Sequence, residues 1–106
     1  MNFINIRNKD EYENFLNNNT VAIIKIGAEW CGPCRVMDDT MAQIESTIPV
    51  GHIEVEDEGV DALIGELGVR NIPVTLFFKN GTIVERKVGL MQANEITENI
   101  NKLIES

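Results

Sequence analysis

The stretch Val21-Ala22-Ile23-Ile24-Lys25-Ile26 constrains this chain most. It is β-branched and apolar almost throughout, so neither of the two faces along which its side chains alternate is left for water. Such a segment is stable as a central strand covered on both sides, which points to an α/β layered domain. The 106 residues around it make one domain, 1–106, long enough to bury a core without metal or disulfide staples. With 43% apolar and 25% charged residues the composition is globular. The net charge is −8, with only nine basic residues spread along the chain. A nucleic-acid partner and an anionic membrane surface are therefore not expected. The longest apolar runs, residues 21–24 and 74–78, fall far short of the roughly 20 residues that span a bilayer. Residues 1–7 lack a basic segment followed by an apolar one, so a cytoplasmic location is expected.

Along the chain, Asn8 followed by Glu11 reads as a capping box, and Tyr12, Phe15 and Leu16 continue a helix over about 9–17. A short first strand precedes it. Val36, Met37, Met41, Ile44 and Ile48 keep helical spacing up to Pro49. Residues 50–55 read as a strand. Val60, Leu63, Ile64 and Leu67 form a short amphipathic helix stopped by Gly68. Residues 74–78 and 82–88 form a hairpin across Asn80-Gly81. Ile96, Ile100, Leu103 and Ile104 mark a closing helix. Strands separated by helices pair in parallel, and the late hairpin adds an antiparallel pair. The expectation is a central mixed sheet of four to five strands flanked by four helices.

The two cysteines, Cys31 and Cys34, sit three apart at the junction between the buried strand and the following helix. Two cysteines cannot build the multi-bridge framework of a small secreted scaffold. The single histidine, His52, and the absence of a second CxxC leave too few ligands for a zinc site. Two unrelated cysteines and a metal shared between two chains are the alternatives to redox chemistry. A thiolate at a helix N-terminus meets unpaired N–H groups and the positive end of the helix dipole, which lowers its pKa. Cys31, at the mouth, is expected to be exposed and to act as nucleophile. Cys34, one turn further in, is expected to be shielded and to resolve the mixed disulfide. Pro33 suits the first helical turn, and Trp30 is placed to shield the pair.

Ala28-Glu29-Trp30-Cys31-Gly32-Pro33-Cys34 resembles the active-site segment of the thioredoxin family. Asn71-Ile72-Pro73 resembles that family's loop with a cis-proline beside the dithiol. Phe77-Phe78-Lys79-Asn80-Gly81 and Val88-Gly89 resemble its later segments, in the same order. The resemblance implies a thioredoxin fold and a protein-disulfide reductase recharged by a thioredoxin reductase or an equivalent donor. It implies no cofactor beyond the redox-active disulfide, and a monomer is the simplest expectation. Trp30, Gly32, Pro33, Ile72, Pro73, Gly89 and Leu90 would form the docking surface, with Pro73 cis and the backbone of Ile72 pairing with an extended substrate. Gly-Pro between the cysteines, with no adjacent histidine, argues for a reductant. A thioredoxin-fold binding module and a less reducing oxidase or isomerase are the alternatives.

Lys25 departs from the pattern. Six residues before the first cysteine, the family carries a buried Asp that accepts a proton from the resolving cysteine, with a Lys on the neighbouring strand. Here the lysine lies between Ile24 and Ile26. The expectation is an inverted pair, Lys25 with Glu54, with Glu56 the second candidate. A cation behind the dithiol would favour thiolate at Cys34 and make the pair less reducing. The alternative is that Lys25 snorkels to the sheet end. Gly27 stands where many relatives carry an aromatic residue, so one wall of the site is expected to be thin. Asp39 replaces a helix-kinking proline, so a straighter helix over 35–48 is expected. The acidic stretch from Glu54 to Asp61 reads as a solvated loop or a selector of basic partners, and His52 as a surface residue.

Overall fold

The computed structural model describes residues 1–105. Among them, strands β1 (Phe3–Asn5), β2 (Val21–Gly27), β3 (Val50–Glu54), β4 (Val74–Lys79) and β5 (Thr82–Val88) form one sheet in the order β1-β3-β2-β4-β5. β1, β3 and β2 run parallel, while β4 is antiparallel to β2 and β5. Helices α1 (Lys9–Asn17), α2 (Gly32–Ala42), α3 (Asp61–Glu66) and α4 (Ala93–Glu105) cover it, with a 3-10 turn at Glu58–Val60.

The alternation along β2 decides which residue meets which layer. Ala22, Ile24 and Ile26 join Phe15, Ile53, Leu63, Leu76 and Phe78 in the core beneath α1 and α3. Ile23 points the other way, into a core with Met37, Met41, Phe77, Ile96 and Ile100 beneath α2 and α4. Both faces of β2 are therefore apolar, apart from Lys25 on the α2 side.

The local signals are satisfied by named bonds. Asn8 Oδ1 accepts from the Glu11 N–H at 2.8 Å, while Glu11 Oε1 reaches back to the Arg7 N–H at 2.8 Å, one residue earlier than a strict capping box. Asn80 and Gly81 turn the hairpin with φ of 53° and 78°, the conformation that tight hairpins require. Gly68, at φ 67°, follows the end of α3 as a left-handed stop.

One boundary differs from expectation. α2 stops at Ala42, although apolar spacing continues to Ile48. Ile48 is still buried against Met37 and Met41, so the later apolar residues pack from an irregular segment. The Met1 nitrogen donates to the carbonyls of Met41, Ala42 and Ile44 at 3.3, 3.1 and 2.8 Å, satisfying acceptors that a longer helix would have used. The periodicity reported burial, and helix ends where its carbonyls find other donors. α2 is continuous through Asp39.

Candidate active site

β2 ends at Gly27, and the chain passes through Ala28-Glu29-Trp30 directly into α2. Cys31 is the N-cap of that helix: its Sγ accepts from the Cys34 N–H at 3.2 Å. The two cysteines are joined as a disulfide with Cα atoms 5.2 Å apart. Both are buried, Cys31 as well as Cys34, against Ala28 with Val55 and Ile72 packed alongside. The expectation of an exposed Cys31 is thus corrected: the sulfur sits in an apolar nest, because the loop and Ile72 close over it. What faces solvent is the rim. Gly32 and Pro33 are exposed, Trp30 is 68% exposed and Leu90 is 51% exposed. Trp30 therefore stands beside the dithiol as an outward platform and does not bury it.

The second wall comes from the loop before β4. The Ile72–Pro73 peptide is cis, as the resemblance implied. Ile72 is half-buried and Pro73 buried. Gly89, at φ 94°, donates its N–H to the Pro73 carbonyl at 2.8 Å, tying the end of β5 to this loop. Its φ lies where residues with a Cβ are strained. Trp30, Gly32, Pro33, Ile72, Pro73, Gly89 and Leu90 all lie on segments at this end of the sheet, those adjoining α2, β4 and β5.

Behind the dithiol, Gly27 and Lys25 share the α2-facing side of β2. A Cβ built on Gly27 would stand 3.0 Å from both Cβ and Sγ of Cys34, so here the strand backbone itself is the wall. Lys25 is buried, 3% exposed, so it does not snorkel. Nor does it pair with Glu54. Its Nζ is ion-paired with Asp38, on α2 one turn beyond Cys34, and lies 2.7 Å from His52 Nδ1. The sheet register explains this: Lys25 lies opposite His52 on β3, whereas Glu54 lies opposite Gly27. An ammonium only donates, so His52 accepts at Nδ1 and carries its proton on Nε2. The Phe3 ring lies 5.0 Å from Nζ. Burial pushes Lys25 below its ordinary pKa, opposed by the hydrogen bond and charge of Asp38 and by the charge of Glu54. Burial, then the Lys25 cation, push His52 down as well. His52 is therefore not an unpartnered surface residue.

Glu54 has a different task. Its Oε1 accepts from the Glu29 N–H at 2.9 Å and its Oε2 from the Glu56 N–H at 3.0 Å. Glu56 in turn accepts from Trp30 Nε1 at 2.7 Å. The start of the acidic stretch thus braces the loop that carries Trp30 and Cys31. Sequence reasoning missed Asp38, His52 and the Glu56–Trp30 bond. Asp38 was signalled only by its i+4 spacing from Cys34, and His52 only by strand register. Among the described residues no group of three His, Cys, Asp or Glu side chains could hold a metal ion, and no helix is long and apolar enough to cross a membrane.

Comparison with known proteins agrees with this geometry. The family model described as Thioredoxin matches residues 3–102. A thioredoxin of Pyropia yezoensis is 33% identical over 93 residues, covering 84% of this chain and 85% of that one. A thioredoxin of Rickettsia bellii is 31% identical over 104 residues, covering 94% and 97%. The solved structure of a mutant thioredoxin from Halobacterium salinarum superposes with a TM-score of 0.88 at 25% identity, covering 95% of this chain and 89% of that one.

Proposed function

Since the chain belongs to the thioredoxin family, we propose that it works as a protein-disulfide reductase. Its Cys31–Cys34 pair is a dithiol of the thiol–disulfide oxidoreductase type. The observation that carries the proposal is Cys31 Sγ at the N-cap of α2, accepting the Cys34 N–H. That position favours a thiolate once the disulfide is opened.

In this reading the Cys31 thiolate attacks one sulfur of a substrate disulfide. The substrate S–S bond breaks, a Cys31–substrate bond forms, and the other substrate sulfur leaves as a thiolate. Cys34 then gives up its proton and attacks Cys31, forming the bond seen here and releasing the second substrate sulfur. Two electrons pass to the substrate, and solvent supplies protons to its thiolates. Trp30, Gly32, Pro33, Ile72, Pro73, Gly89 and Leu90 receive the substrate chain. A thioredoxin reductase or an equivalent dithiol donor restores the reduced form. The −8 charge disfavours nucleic acid and anionic membranes as partners, and a monomer in the cytoplasm fits the reading. His52 lies on β3, bonded to Lys25, and not beside the cysteines, which supports reduction over oxidation.

Reduction of insulin disulfides with dithiothreitol as donor tests this. The Cys31→Ser protein is expected to lose the activity, and Cys34→Ser to accumulate a mixed disulfide with substrate. Trapping through Cys34 in a Cys31→Ser protein would reverse the roles.

A further inference from the structure

The Lys25 site has the makings of more than a structural ion pair. Lys25 and Gly27 lie on the same side of β2, and a Cβ at Gly27 would stand 3.0 Å from Cys34 Sγ. Cys34 and Asp38 stand four apart on α2, hence on one helical face. The ion pair of Lys25 with Asp38 is therefore placed one turn behind the resolving cysteine. Asp38 comes from α2, His52 and Glu54 from β3, and the Phe3 ring from β1. Opposite Lys25 on β4, Thr75 is buried, its hydroxyl without a hydrogen-bond partner among the described residues. Asp38, His52 and Glu54 face a solvent cleft. This polar cleft of about 390 Å³ is lined by Ala28, Glu29, Arg35, Asp38, His52 and Glu54.

A buried ammonium with this setting has few ways to remain charged. It needs a carboxylate and a neutral acceptor, and it has one of each. We propose that Asp38 and His52 are positioning residues for the dithiol reaction: they hold the Lys25 ammonium charged behind Cys34, and this unit sets how readily Cys34 gives up its proton. The inference rests on the oxidoreductase reading above and names the side chains that tune it. The step concerned is the second one. Cys34 loses a proton to solvent, its thiolate attacks Cys31 Sγ, and the substrate sulfur leaves with the electron pair of the mixed disulfide. A cation nearby stabilises the thiolate, and therefore the reduced form, relative to the disulfide. Asp38 has two opposed effects: it keeps Lys25 protonated and partly cancels its field. Around His52 the charged groups are Lys25, Asp38, Glu54 and Asp57.

The test is the equilibrium of the full chain with dithiothreitol buffers across pH, together with NMR titration of the Lys25 ε-methylene in both redox states. In the wild type, reduction is expected to move the Lys25 titration to higher pH, because a thiolate and an ammonium stabilise each other reciprocally. This measurement needs no variant. Lys25→Met is expected to raise the Cys34 thiol titration and shift the equilibrium about tenfold toward the disulfide. Asp38→Asn is expected to lower the Lys25 titration and, where Lys25 is still protonated, shift the equilibrium toward the dithiol. His52→Leu is expected to lower the Lys25 titration too, while His52→Gln, which keeps an acceptor, restores it. A Lys25 titration identical in both redox states, or an equilibrium in folded Lys25→Met within twofold of the wild type, overturns the proposal. Insulin reduction that survives in that same variant and fails in Cys31→Ser would leave the oxidoreductase reading intact.

Discussion

On its outer side the Cys31–Cys34 pair is rimmed by Trp30, Gly32, Pro33 and Leu90, all exposed. On its inner side stand Gly27, against Cys34, and then Lys25 with Asp38 and His52. The outer wall is contributed by short segments whose shape follows from local chemistry: a cap, a proline in a first turn, a left-handed glycine. The inner wall joins β2, β3 and α2 across the sheet and depends on register. Substitutions outside should therefore change recognition and leave stability alone. Substitutions inside should change stability and dithiol energetics together.

Lys25→Ala is the harshest way to break the contrast. It removes a buried stem that packs beside β3 and strips Asp38 and His52 of their cation. Removing one partner of a buried pair costs about 3–5 kcal/mol. The Asp38 side chain is 33% exposed and can recover part of its hydration, so the lower end, about 3 kcal/mol, is expected. Urea unfolding of the oxidised protein measures it. A loss under about 1 kcal/mol would mean that the inner wall is no more built than the outer one.

Glu54→Ala comes next. It leaves the Glu29 and Glu56 N–H groups without their acceptor, on a partly wet loop. A hydrogen bond to a charged group is worth about 1.5–3 kcal/mol, but water replaces it here, so about 1–2 kcal/mol is expected. Trp30 fluorescence should change as well, because the loop that holds Glu56 against its indole loosens. A stability loss with unchanged fluorescence would mean that Glu54 does not hold the Trp30 loop in place.

The strand run, the helix pattern, the hairpin and the dithiol were legible because each is a local signal: alternation, i+3/i+4 spacing, Asn-Gly, a cap position. The partner of Lys25 was not. Choosing Glu54 placed β3 two residues out of register, and a two-residue slip in a strand keeps the face while changing the neighbour. His52 and Glu54 stand two apart on β3 and so share a face. Only the pairing of Lys25 with His52 and of Gly27 with Glu54 distinguishes them. The true anion, Asp38, lay on a helix, where no strand argument looks. The early end of α2 escaped for a related reason, since Ile48 is as buried in a loop as it would be in a helix.

A smaller effect follows from His52. Its folded pKa lies below the unfolded 6.5, owing to burial and then to Lys25. The unfolded chain therefore binds the extra proton first as pH falls. Stability is full above about pH 6.5 and declines as pH drops from there toward the folded value. His52→Gln should flatten that part of the profile in urea unfolding followed from pH 8 to 5. A slope unchanged by the variant would assign the acid sensitivity to other groups.

Trp30→Ala gives the smallest change in stability and sharpens the comparison from the outer side. The residue is 68% exposed, and its indole donates to the exposed carboxylate of Glu56. Unfolding free energy should stay within about 0.5 kcal/mol of the wild type. Kinetics should not be so tolerant. If Trp30 is a platform for substrate chain, KM for a protein disulfide rises several-fold while kcat holds, because binding common to ground and transition states is lost. A small aromatic disulfide, which has no chain to lay across the rim, should be reduced at an unchanged rate. A loss of kcat with both substrates would instead tie Trp30 to the chemistry at Cys31. Since the indole and Cys31 lie on one loop braced by Glu54 and Glu56, that outcome would make the brace, and not the exposed surface, the functional unit of the outer wall.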